Sequence, residues 1–143
     1  MLSVSIGSMN AHPSSGSRWL LILGDFLTLG LVTLTGFATH NELMSAGARM
    51  LTTYVPLVAA WLMAAPFLGA YSYDNLQDWR ELWRPFWAMV LAGPMAALFR
   101  ALWLGTTVVP IFVIVLGGIA ALSILVWRLV YWFVFSRRSA GYG

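Results

Sequence analysis

Cysteine is absent from the 143 residues, which excludes disulfides, a thiolate nucleophile and any Cys-ligated zinc or iron–sulfur centre. Lysine is absent too. All eight basic residues are arginines, spread from Arg18 to Arg138, and they form no basic stripe of the kind that nucleic acid requires. Charged residues are only 9% of the chain, against about 25% in ordinary soluble domains. Catalytic signatures are missing as well: there is no G-x-S-x-G, no H-E-x-x-H and no glycine-rich phosphate loop. With two histidines, one of them His12 in the leading segment, no metal site or cofactor box is expected.

What the chain has instead is apolar length. Hydrophobic residues are 60% of the total, and the run Pro110–Phe135 is broken by a single charge, Arg128. As a helix rising 1.5 Å per residue it is about 39 Å long, more than the roughly 30 Å hydrocarbon core requires. Three further runs have the same character, at about 19–39, 50–71 and 85–104, with the last at about 109–135. The expected fold is therefore an all-α membrane protein, a four-transmembrane-helix bundle over 18–138. Residues 1–17, rich in Ser and Gly and without a basic n-region or long apolar run, read as a disordered N-terminal tail and not a signal peptide. Residues 139–143 form a short C-terminal tail. Pro56, Pro66 and Pro94 fall inside spans, where neighbouring helices can satisfy the freed carbonyls.

Between spans two and three, Leu76, Trp79, Leu82, Trp83 and Phe86 recur at helical spacing opposite Asp78, Glu81 and Arg84. That pattern predicts a short helix in the interface plane over Asp74–Arg84, with Asp74 and Gln77 resembling a capping box and Pro85 as the break before span three. Four spans put both termini on one side. Arg18, Arg80, Arg84, Arg137 and Arg138 lie on that side, with Arg49 opposite and Arg100 near the opposite surface. The positive-inside rule then predicts cytoplasmic termini in a multi-pass cell-membrane protein.

Small residues four apart mark close helix approach in lipid. Ala60 and Ala64, Gly93 and Ala97, and Gly117 and Ala121 are the pairs in spans two, three and four. Arg100 and Arg128 share faces with these pairs, while Asp25, Thr28, Thr35 and Thr39 form a stripe on span one, so all three intramembrane charges are expected to point inward. Asp25, seven residues past Arg18, and Arg128, nine before Arg137, fall at a similar depth, about 10 Å from the side of the termini. Arg100, fifteen residues past Pro85, falls about 22 Å from that side, near His40 and Glu42. Two polar layers are predicted, Asp25 with Arg128 and Arg100 with His40 or Glu42. An intramembrane charge serves either as part of a substrate, ion or proton path or as a paired or snorkelling group that fixes helix register; for Asp25 and Arg128 both readings stand.

The runs PLVAAWLMAAPFLGAY from Pro56, GPMAALFRALWLG from Gly93 and VWRLVYW from Val126, with LGD at Leu23–Asp25 and the stretch Gly36–His40, resemble a family of small prokaryotic four-span membrane proteins known only as domain of unknown function 3054. The matching positions include Asp25, His40, Pro56, Pro66, Gly69, Pro94, Arg100, Gly105 and Arg128. The resemblance implies an architecture and no activity. From the residues, the expectation is a non-enzymatic accessory or structural subunit whose partners are the bilayer and other membrane proteins or further copies of itself. The alternative is a small oligomeric transporter or channel using the Asp25/Arg128 layer. An enzyme is disfavoured, since acid–base chemistry needs groups within hydrogen-bond reach of a common substrate and each predicted layer pairs opposite charges.

Overall fold

A computed structural model describes residues 15–39, 47–72 and 78–139. Within them lie four α-helices and no strand: α1 (Ser15–Thr39), α2 (Gly47–Phe67), α3 (Trp83–Leu104) and α4 (Pro110–Ser139). Each is long and apolar enough to cross a membrane. Residues 1–14 of the expected tail, and the predicted positions of His40 and Glu42, lie outside the described residues.

The helix ends differ from the sequence boundaries for identifiable reasons. The hydropathy pattern carries the second span to Tyr71, but α2 stops at Phe67. Gly69 adopts φ 69°, the left-handed conformation that closes a helix. The Gly69 N–H donates to the Pro66 carbonyl at 3.0 Å and the Ala70 N–H to the Ala65 carbonyl at 2.8 Å, the paired bonds of a Schellman motif. Ala70 and Tyr71 are thereby turned back toward the bundle. The predicted interfacial helix is, over its described part, one 3-10 turn, Trp79–Leu82, that leads straight into α3. Its cap is Asp78, whose side chain accepts from the Arg80 N–H; residues 73–77, including the proposed capping-box pair, are outside the described set. Pro85 does not break the chain. It sits in the first turn of α3, where a missing N–H leaves no bond unmade.

The helices pack in an up-and-down ring, α2 most extensively on α3 and α3 on α4, with α1 held more lightly against α4 and α2. Side-chain size accounts for the difference. A seam of alanines (Ala60, Ala64, Ala88, Ala92, Ala120 and Ala121) is buried between α2, α3 and α4, and at Gly93 a Cβ would come within 2.9 Å of the Gly117 Cα. Backbones that close gain dispersion contact without relying on water exclusion. The inward face of α1 carries Leu21, Leu29 and Val32, bulkier side chains that hold it further off. Away from the core, Leu23, Leu27 and Leu31 on α1 and Ile114, Leu122 and Val126 on α4 are exposed, an apolar rim of the kind a bilayer covers.

Candidate functional site

The polar centre of the bundle is built from three helices and one turn. Asp25 is completely buried and Arg128 is 4% exposed. Arg128 donates from Nη2 to Asp25 Oδ2 at 2.7 Å and from Nε to Oδ1 at 3.2 Å, a bidentate geometry suited to the flat guanidinium. Its Nη1 donates to the Ala70 carbonyl at 2.9 Å, which the Gly69 turn delivers. Tyr71, next in the chain, donates its hydroxyl to Asp25 Oδ2 at 2.7 Å and accepts from the indole N–H of the buried Trp61 at 2.8 Å. The Tyr71 ring also lies 5.1 Å from the guanidinium carbon of Arg128, within cation–π range, and stands edge-on to Trp61.

This is a closely matched arrangement. Both carboxylate oxygens of Asp25 are engaged, and each nitrogen of the Arg128 guanidinium has a partner. On the side of the termini Arg128, but not Asp25, borders a cavity of about 20 Å³, lined by Asp78, Glu81, Leu82 and Pro85 among others, room for one water. On the other side Leu29, Leu57 and Ile124 are fully buried. The carboxylate therefore has no open position facing a solute.

The remaining candidates lie elsewhere. Arg100 is half-buried, with Nε buried and without a hydrogen-bond partner. It forms no ion pair among the described residues; its guanidinium carbon sits 5.3 Å from the Phe112 ring centre. The predicted meeting of Arg100 with His40 or Glu42 falls outside the described residues. The six small residues predicted for helix packing, Ala60, Ala64, Gly93, Ala97, Gly117 and Ala121, are all buried. The threonine stripe on α1 divides: Thr33, not on the predicted stripe, is buried, whereas Thr35 and Thr39 are exposed and line a cavity beside Arg100. Among the described residues no three His, Cys, Asp or Glu side chains come together as metal ligands.

Sequence reasoning missed Trp61, Ala70, Tyr71 and Gly24. The hydropathy run absorbs Tyr71 into a span, where its hydroxyl has no obvious partner; the signal that relocates it is Gly69, two residues earlier. Gly24 is where α1 meets α4: a Cβ there would overlap ring carbons of Trp127, so the indole occupies the space a side chain would need. The close approach holds Asp25, the next residue, over Arg128, one position beyond Trp127.

No curated protein and no solved structure matches this chain. Residues 22–131 match the sequence model of the family described as protein of unknown function (DUF3054), a stretch that includes Asp25, Trp61, Tyr71 and Arg128 and most of all four helices, and the chain belongs to that family.

Proposed function

We propose that this protein is a non-enzymatic multi-pass membrane protein, an accessory or structural subunit whose Asp25–Arg128 pair fixes the register of α1 against α4. The observation that carries the reading is the close matching of that pair: Asp25 and Arg128 satisfy each other, Tyr71 and the Ala70 carbonyl, at 0% and 4% exposure. A conducting or proton-relaying carboxylate needs an open neighbour, and an acid–base pair needs a substrate position between its members; neither requirement fits a closed five-residue network. The working surfaces are then the outward faces. α4 is the most apolar of the four spans and the least buried, with 22% of its most apolar stretch inside the bundle, which leaves one long side for lipid or for a partner helix.

The arginine distribution favours an orientation with both termini in the cytoplasm. Because the chain has no cysteine, single-cysteine labelling reports this directly. An impermeant maleimide applied to intact cells is expected to modify Thr106→Cys in the α3–α4 hairpin and to leave Ser136→Cys unmodified until the membrane is opened.

The subunit reading itself is tested by crosslinking in native membranes followed by mild-detergent purification and intact-complex mass measurement. It predicts one membrane protein, a second copy or a different chain, at fixed stoichiometry. A species that is monomeric throughout would overturn it. The transporter alternative is favoured by one feature, the cavity beside Arg100, but the buried layer of Leu29, Leu57 and Ile124 lies between that cavity and the ion pair, so a path through one chain has no continuity.

A further inference from the structure

The half of the bundle away from the termini contains a cavity of about 380 Å³, within the range of small-molecule sites. All four helices contribute to it. Thr35, Gly36 and Thr39 come from α1, Arg49 and Thr53 from α2, Arg100 from α3, and Phe112, Val115 and Ile119 from α4. We propose that this cavity binds the phosphate-bearing headgroup and upper acyl segment of an anionic phospholipid, entering sideways between α1 and α4.

The chemistry of the lining carries the assignment. Two arginines line one cavity, and among the described residues no Asp or Glu does. Arg100 has a buried Nε with no acceptor, a costly condition for a charged donor in a desolvated site, and one that a phosphate oxygen relieves with a charge-assisted bond. Contact with the Phe112 ring holds the guanidinium at the cavity wall. The threonines have different capacity. Thr33, Thr35, Thr39 and Thr53 each donate to a backbone carbonyl three or four residues earlier, so their protons are committed while their lone pairs can accept from a headgroup hydroxyl. The anion is thus assigned to Arg100 and the neutral hydroxyls to the threonines.

The apolar part points to a lipid and not to a free anion. Val115 and Ile119 on α4 are about half exposed, and Thr35 and Gly36 on α1 are exposed, so the cavity opens laterally where the bilayer would lie. That opening follows from the packing: α1 meets α4 tightly at Gly24 and Trp127 and is held off elsewhere by its larger side chains. Gly36 leaves the mouth wide, since even a Cβ at this position would find nothing within 4 Å. Val32, Leu116 and Ile119 give the first acyl carbons an apolar wall. Lipid binding here is independent of the subunit reading, because a lipid-binding monomer and a lipid-free complex are distinct outcomes.

The test uses full-length protein in mild detergent, titrated with phosphatidylglycerol, with phosphatidylcholine and separately with inorganic phosphate, read by native mass spectrometry and thermal unfolding. Wild type is expected to retain phosphatidylglycerol adducts and to unfold at higher temperature with that lipid than with phosphatidylcholine. Arg100→Gln is expected to bind phosphatidylglycerol about tenfold more weakly, the scale of one lost charge-assisted bond, and Arg100→Lys to recover part of the loss. Ile119→Trp fills the cavity without changing charge and is expected to abolish the adducts, which keeps the test decisive if Arg100→Gln is poorly folded. Equal binding of the two lipids, or wild-type phosphatidylglycerol affinity in both Arg100→Gln and Ile119→Trp, overturns the proposal. Inorganic phosphate that stabilises as strongly as phosphatidylglycerol identifies a free-anion site and overturns the lipid assignment.

Discussion

In the half of the bundle next to the termini, Arg128 makes three hydrogen bonds to described groups and is 4% exposed; in the other half, Arg100 keeps a buried Nε with no partner beside an open cavity. The same side chain, on two adjacent helices, meets opposite conditions. The cause is local packing. Where Gly24 admits the Trp127 ring, α1 closes on α4 and leaves Asp25 and Arg128 almost no exposure, so each charge is matched within the protein. Where no such glycine contact exists, α1 stands away and a charge can remain without a protein partner. An intramembrane arginine thus reports function or structure according to the saturation of its neighbours, and not according to its depth.

The largest effect that can break this contrast belongs to the closed half. Arg128→Met leaves Asp25 buried without its counter-charge, and Asp25→Leu does the same to Arg128. Each is expected to cost about 3–5 kcal/mol of stability, read as thermal midpoint or folded yield in detergent. The double variant Asp25→Leu/Arg128→Met removes both charges and is expected to regain most of that loss. Next comes Gly24→Ala, which drives a methyl group into the Trp127 ring and is expected to cost about 1–3 kcal/mol with a shift in tryptophan emission.

Tyr71→Phe removes the donor to Asp25 Oδ2 and the acceptor for Trp61 Nε1. About 1–2 kcal/mol is expected, because the bidentate pair survives. The smallest loss is predicted for the open half: Arg100→Gln in lipid-free detergent should cost no more than about 0.5 kcal/mol, since its buried Nε has no bond to lose and its removal relieves an unmatched donor. A loss at Arg100 as large as that at Arg128 would erase the distinction between the halves.

Much of this arrangement is legible in the sequence, for physical reasons. Apolar runs long enough for a bilayer have few alternatives, so four helices follow from composition and length. The 1.5 Å rise turns residue number into depth, and it places Asp25 and Arg128 on one level without knowledge of any contact. Small-residue spacing indicates the faces that Ala60, Gly93 and Gly117 occupy. Less local features are hidden. The role of Tyr71 depends on a left-handed Gly69, whose effect is to redirect the chain, and a hydropathy run shows no such turn. The fit of Trp127 over Gly24 joins residues 103 apart and has no periodic signature. The threonine stripe misleads because hydroxyls that donate to their own helix backbone carry little information about which way a helix faces.

The proposal that Asp25 and Arg128 act as one structural unit is tested most directly by a double-mutant cycle of Asp25→Leu and Arg128→Met, followed by reversible unfolding in detergent. A coupling of about 2 kcal/mol or more, with the double variant more stable than either single one, is expected. Additivity of the two substitutions within about 0.5 kcal/mol would refute the pairing as the element that holds α1 to α4.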